Sequence, residues 1–404
     1  MRAWIFSAPS WHSTCPWGIR SLPTQATRWV ACLDTWGEMQ ACLAAAHPHS
    51  GTRARVWCPL WRRGHHRGGG GTRVAAPEHW PRARLTSPPA PRPQHSTSEY
   101  KSTVRALVSS RLFPARKVDP VPVHSMCDAY RIQQGVAQCA SLRSKEGGTI
   151  KGWKVGASNQ AAIDKLGLKE AFRGPLFTPT LRRSPSTVAW EELGVALFAV
   201  EAEFAFSMDR TLPPRPEPYS EDEVWAAVRS VHPAIEIAAS RSPSALPLSP
   251  DTVHALVADH ALHGVLVVGD GVPAGEVDRN ALPSVRATIE RSAPAPAGAA
   301  PGDRAVESDS GSVSAEGAGS NVLGSPLTSL TWLANALRKD GIALEAEAIV
   351  TTGAAALLTS DQVPWGKECV LEASLSGLGG GEGAAQRVRL NMPREGVRPW
   401  EIRE

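Results

Sequence analysis

The chain has 404 residues, is 42% hydrophobic and 20% charged, and carries a formal net charge of +4, a composition ordinary for a soluble globular protein. So small a positive excess gives no reason to expect a nucleic-acid partner, and no run of about 18 apolar residues is present to span a membrane. Seven cysteines, none in a close CxxC pair, support neither a zinc site nor a disulfide framework, and a reducing, cytoplasmic setting is expected.

The first hundred residues differ from the rest. They hold eight of the fourteen Trp, twelve Arg, no Lys and only four acids, Asp34, Glu38, Glu78 and Glu99. An Arg-, His- and Gly-rich stretch at 62–71 and a Pro-rich one at 81–93 keep no helical or alternating apolar period. Residues 1–101 are therefore expected to form a low-complexity, largely disordered extension. The lack of acids before Asp34 fits an organelle transit segment. The Trp content and weak amphipathic pattern favour a non-functional extension with a mis-set translation start. A folded catalytic domain is expected over 102–393. Apolar spacing predicts helices at 103–112 and 126–143, a strand at 150–155, and a long central strand at 195–206. A short helix at 224–231, a strand at 234–238, a helix at 251–260 and a strand at 264–269 follow. Residues 292–320 are Ala, Pro, Gly and Ser with scattered acids, the composition of a disordered insertion. A helix at 326–337 and strands at 349–352 and 388–390 complete the pattern.

Chemistry concentrates in two places. In Val200-Glu201-Ala202-Glu203-Phe204, residues two apart on a strand share a face, so Glu201 and Glu203 project together from an apolar element. Two adjacent carboxylates repel, and burying both is costly unless a cation lies between them. Glu236, in Pro233-Ala234-Ile235-Glu236-Ile237, is a third acid among apolar neighbours. Three carboxylates with coordination positions to spare suit a catalytic divalent cation; a strand with one solvent-facing edge would show the same alternation. The second place is Gly152-Trp153-Lys154-Val155-Gly156. There an ammonium beside tight backbone can hold a substrate carboxylate or move a proton, or can simply end a strand at the surface. His260 and His263, three apart, fit a pair at a helix end better than a second metal site. Asp259 and Arg241 fit a buried structural pair.

Several motifs occur together in one order: Gly152-Trp153-Lys154-Val155-Gly156-Ala157-Ser158, Gly174-Pro175-Leu176-Phe177, Glu201-Ala202-Glu203-Phe204, Pro233-Ala234-Ile235-Glu236-Ile237 with Ser240-Arg241, Ala258-Asp259, Val322-Leu323-Gly324-Ser325-Pro326-Leu327, and Thr352-Gly353-Ala354. The series resembles the 2-keto-4-pentenoate hydratase family over about residues 103–392. The resemblance implies an α+β fold, the fumarylacetoacetase C-terminal-like mixed β roll with peripheral helices. It implies Mg²⁺ or Mn²⁺ held by Glu201, Glu203 and Glu236. It assigns catalysis to Lys154 and Glu170, and substrate binding to Lys154, Ser158 and Leu176. The implied partner is a small 2-oxo or 2-hydroxydienoic acid, and a homo-oligomer is expected. The implied reaction is metal-dependent addition of water to 2-hydroxypenta-2,4-dienoate, giving 4-hydroxy-2-oxopentanoate. Relatives that decarboxylate 4-oxalocrotonate or hydrolyse acylpyruvates, and a non-catalytic 2-oxo-acid binder, are the alternatives. One departure bears on the choice. Family hydratases often carry an Asp ahead of the Gly-x-Leu-Phe motif, where this chain reads Ala171-Phe172-Arg173, with Glu170 the nearest acid.

Overall fold

The computed structural model describes residues 96–112, 118, 123–142, 148–194, 196–242, 248–294, 312–379 and 385–396. The extension expected at 1–101 lies, up to residue 95, outside the described residues. Helix α1 (Thr97–Leu112) starts upstream of the expected boundary. A reciprocal cap explains the start: the Ser96 amide donates to Glu99 at 2.9 Å, and the Glu99 amide donates to the Ser96 hydroxyl at 3.3 Å. Helix α2 (Met126–Leu142) follows, and Val104, Leu107, Ile132 and Val136 are buried on this helical pair.

The rest is mainly strand. In chain order come β1 (Ile150–Gly156), α3 (Gln160–Lys165), β2 (Phe172–Phe177), a 3-10 turn (Thr178–Thr180), β3 (Leu181–Arg183), β4 (Ser186–Thr187) and β5 (Ala196–Met208). Then come α4 (Glu221–Trp225), β6 (Val228–Ser240), α5 (Val253–Ala258), a 3-10 turn (His260–Leu262), β7 (His263–Val268), β8 (Val272–Pro273) and β9 (Arg286–Ser292). Strand β10 (Val313–Ala318), α6 (Pro326–Lys339), β11 (Ile349–Thr359), β12 (Cys369–Ser376) and β13 (Ala385–Met392) complete the elements of the described residues.

Two expectations need correction. The helix expected at 224–231 is α4, which lies further upstream because Ser220 and Glu223 form a capping box there; from Val228 the chain is already strand. The stretch 292–320 is not wholly irregular. Its end is β10, paired with β9 from Val313 opposite Arg291 to Ala318 opposite Arg286. Its small and polar residues belong to the outermost strand of a sheet, where one side needs no apolar cover, and so read as low complexity. Residues 295–311 lie outside the described residues.

Among the described residues the strands form two sheets. The larger runs β2-β1-β11-β5-β6-β7-β3, with β8 joined to β6; the smaller runs β10-β9-β12-β13-β4. They share one core. Val200, Phe204 and Phe206 of β5, Ile235 and Ile237 of β6, and Val265 and Val267 of β7 pack with Ile289, Leu371, Val388 and Leu390 of the smaller sheet. Successive side chains alternate across a strand, so the residues between these core positions point to the other face of the large sheet. Its end strands β2 and β3 are consecutive in sequence, linked only by Thr178–Thr180. A three-residue link cannot cross a flat seven-strand row of about 4.8 Å spacings, so the sheet curls until its two ends meet. This is the mixed β roll with peripheral helices implied by the motifs. No helix among the described residues is long and apolar enough to cross a membrane.

Candidate metal centre and its surroundings

The concave face of the roll carries the acids. With Val200, Ala202 and Phe204 turned to the core, Glu201 and Glu203 must point the other way. Glu236 on β6 stands directly opposite Glu201 in register. Like charges so paired across a ladder destabilise a sheet unless something neutralises them. One carboxylate oxygen from each of Glu201, Glu203 and Glu236 lies within 4.8 Å of the others. Glu203 and Glu236 are fully buried and Glu201 is half-buried. Strand β5 sits between β11 and β6, so its glutamates do not belong to a solvent-facing edge.

Lys154 of β1 completes the cluster, its Nζ 2.7 Å from Glu236 Oε2 and 3.1 Å from the Ala261 carbonyl, to which it donates. That carbonyl belongs to a strained turn. His260, Ala261 and Leu262 have φ of 53°, 58° and 63°, three successive left-handed residues without a glycine, each costing about 1–2 kcal/mol. Such strain persists where the surroundings over-determine it. Here Arg241 donates to Asp259 Oδ1 at 3.3 Å and to the His263 carbonyl at 3.0 Å, while Arg111 of α1 donates to the Asp259 carbonyl at 3.2 Å. The expected Asp259–Arg241 pair thus clamps both ends of the turn. Gly174 of β2 is required beside it, since a Cβ there would lie 2.6 Å from the His260 carbonyl oxygen.

Two further carboxylate oxygens are held individually. Glu236 Oε1 lies 2.9 Å from His263 Nδ1, and His263 Nε2 lies 2.8 Å from the Thr180 hydroxyl. Glu203 Oε2 accepts from the Gly353 amide at 2.7 Å. Gly353 has φ of 102° and sits where the β11–β5 register shifts, and a Cβ there would collide with the Ser158 side chain. Only glycine brings this amide to the carboxylate.

Electrostatics are set by burial and by one another. Burial alone would raise Glu236, but Lys154 and the hydrogen bond from His263 outweigh it and hold the carboxyl at about 2. Burial opposes the Lys154 charge, yet Glu236, Glu201 and Glu203 together keep its pKa above the ordinary value. Burial pushes the His263 imidazole down to about 4, against the pull of Glu236, so the ring is neutral at pH 7. Burial, then the Glu236 and Glu201 charges, raise Glu203 well above the usual carboxylate range. Glu203 Oε1 is buried with no hydrogen-bond partner among the described residues. Three carboxylates against one ammonium, with a carboxylate oxygen left over, form an oxygen-rich, anionic cradle that fits a hard divalent cation.

The other residues singled out in the sequence fall differently. Ser158 is buried beside Gly353, the residue whose amide donates to Glu203. Leu176 packs with Ala205, Ala234 and Leu266, residues on the same face of the large sheet as the three glutamates. Glu170 is exposed and accepts from Trp332 Nε1 at 2.9 Å. It makes no contact with Lys154 or the triad among the described residues. Sequence reasoning missed Thr180, Ala261, Gly353 and the role of His263. His263 stood in view, but the helical spacing to His260 misdirected the reading, because the chain kinks into a strand between them.

No family model matches the chain. Among curated proteins, 2-keto-4-pentenoate hydratase of Paraburkholderia xenovorans is 29% identical over 263 residues, covering 65% of this chain and 86% of that protein. A 2-hydroxyhexa-2,4-dienoate hydratase of Comamonas testosteroni is 27% identical over 253 residues, covering 63% and 84%. Among solved structures, the 4-oxalocrotonate decarboxylase of Pseudomonas putida G7, complexed with magnesium and adipate, aligns with a TM-score of 0.59 at 21% identity. That alignment covers 74% of this chain and all of the decarboxylase, a likeness that speaks for the fold alone. Sequence and fold together bear out the resemblance seen in the ordered motifs: the chain is similar in sequence to 2-keto-4-pentenoate hydratases and has the fumarylacetoacetase-like fold.

Proposed function

We propose that the protein is a metal-dependent hydro-lyase that adds water to 2-hydroxypenta-2,4-dienoate, giving 4-hydroxy-2-oxopentanoate, with Glu201, Glu203 and Glu236 as ligands to Mg²⁺ or Mn²⁺. The observation that carries the reading is the convergence of three glutamate oxygens within 4.8 Å, with Lys154 pressed against them. The hydratase relatives support the reaction class. When bound, the cation supplies Lewis acidity for the negative charge that builds on the 2-oxo oxygen as enol becomes ketone. The chain supplies the remainder. Glu236 and the Ala261 carbonyl hold Lys154 Nζ protonated, which makes it a donor to the substrate carboxylate and a source of the proton returned to carbon. The Gly353 amide fixes Glu203. The curled sheet keeps bulk water from the buried acids.

The test is the loss of dienol absorbance on adding Mg²⁺ or Mn²⁺ to chelator-treated protein. Turnover is expected only with metal and is expected to vanish in Glu203→Ala; turnover without metal overturns the reading.

One observation favours a second reading. Glu170 is engaged by Trp332, and Ala171-Phe172-Arg173 offers no acid in its place. A 4-oxalocrotonate-type decarboxylation needs only a polarised 2-oxo group and a proton donor, both available from the triad and Lys154. Carbon dioxide release from 4-oxalocrotonate without hydration of the dienoate selects it.

A further inference from the structure

The turn His260–Leu262 and the first residue after it touch both members of the Lys154–Glu236 pair. Ala261 accepts from Lys154, and His263 Nδ1 reaches Glu236 Oε1 at 2.9 Å. Lys154 in turn lies 2.7 Å from the other Glu236 oxygen. Four residues therefore form a run of three polar contacts that the backbone between Ala261 and His263 closes into a loop, and the His263 ring links it to the rest of the fold. Nε2 of that ring lies 2.8 Å from the hydroxyl of Thr180, in the short connection that joins the two ends of the large sheet. A carboxylate only accepts, so Nδ1 carries the proton toward Glu236 and Nε2 takes the Thr180 hydroxyl proton. The same hydroxyl lies 2.9 Å from the Phe177 carbonyl, which competes with Nε2 for its single proton. His263 is fully buried, and the proposed chemistry above does not use it.

We propose that His263 is a positioning residue for the metal ligand Glu236: anchored by Thr180 at the meeting of β2 and β3, it occupies Glu236 Oε1 and so presents Oε2 to the cation and to Lys154. The proposal rests on the reading of the triad as a metal centre. Partners of this kind orient a ligand and tune its basicity, and their loss weakens metal binding by about 10–100-fold.

The test is Mn²⁺ affinity by titration calorimetry on the full-length chain, with thermal melts run beside it. Three variants separate the ring's two ends. The amide of His263→Asn reaches the place of Nδ1 and keeps the bond to Glu236. That of His263→Gln reaches the place of Nε2 and keeps only the bond to Thr180. His263→Leu keeps neither. The expected result is affinity within about threefold of wild type for His263→Asn and a loss of about 10–100-fold for the other two. Thr180→Val is expected to weaken binding by a smaller factor, since the Glu236 bond survives. Equal losses in His263→Asn and His263→Gln, or undiminished affinity in His263→Leu, overturn the proposal and leave the metal centre standing. Failure of the wild-type protein to bind Mn²⁺ overturns both.

Discussion

Lys154 and Glu236 sit 2.7 Å apart on strands that are not neighbours, since β11 and β5 lie between β1 and β6. Three interstrand spacings would separate them by about 14 Å in a flat sheet. Their contact is the direct expression of the curl, and it pairs two fully enclosed charges. Lys154→Met would leave Glu236 buried without its cation, at a cost of about 3–5 kcal/mol. The expected outcome is a lower urea midpoint for the metal-free variant, partly restored by Mn²⁺, with dienoate turnover abolished. An unchanged midpoint would mean that the pair contributes nothing to the fold.

Gly353 is the second point of sensitivity. Its φ of 102° and its approach to Ser158 both exclude a side chain. Gly353→Ala is expected to lower stability by more than about 1 kcal/mol. By moving the amide off Glu203, it should also weaken Mn²⁺ binding. Melting and calorimetry on the same sample check both effects.

Metal binding should strengthen with pH. Glu203 holds its proton well above the usual carboxylate range in the metal-free protein, through burial and the charges of Glu236 and Glu201. A cation must displace that proton, so raising the pH through the elevated pKa removes a competitor and tightens binding. Calorimetry in two buffers of different ionisation heat is expected to show proton release on Mn²⁺ binding, and to show it vanish in Glu203→Gln. Affinity that does not change with pH above the ordinary carboxylate range, with no proton released, would contradict the assignment.

Asp259 holds two guanidiniums, Arg241 at 3.3 Å and Arg111 at 3.3 Å. Asp259→Asn would leave both cations buried together and is expected to cost about 3–5 kcal/mol. Arg111→Ala keeps the Arg241 partner and is expected to cost less. Denaturant melts of the two variants give the order, and the reverse order would show that Arg111 carries the clamp.

At Ala261 the sign should be unusual. Relief of a left-handed φ is worth about 1–2 kcal/mol, against about 0.5–1 kcal/mol for the added freedom of glycine. Ala261→Gly is therefore expected to leave the protein as stable or slightly more so, as a melting curve would show, where an ordinary buried Ala→Gly change destabilises.

Much of the site was legible in the sequence for a simple reason. Glu201 and Glu203 interrupt an apolar run at strand spacing, which put those two on one face; Glu236 stood out as an acid among apolar neighbours, and the ordered motifs joined it to the pair. Lys154 was visible between two glycines. What alternation cannot reveal is which strands become neighbours. Nothing near Lys154 or Glu236 in sequence announces that β11, from the far end of the chain, inserts beside β1 and β5 and delivers the Gly353 amide. His263 was hidden by periodicity itself, since a kink between α5 and β7 replaces helical spacing with strand geometry. β10 was hidden by composition, because an outermost strand needs few apolar residues.

The insertion of β11 also sets an order of events during synthesis. β1 brings Lys154 and β5 brings Glu201 and Glu203, yet the two strands are joined only through residues 349–359. A nascent chain that has emerged through β6 holds every charged member of the cluster and can pair β5 with β6, but Lys154 stays apart, because the strand that draws β1 to β5 has not yet been made. Contacts of such long sequence separation form late and slowly. A ribosome-bound fragment ending before residue 349 should therefore hold the three glutamates without Lys154 and without the Gly353 amide, an acidic cluster that lacks both its cation and its backbone donor.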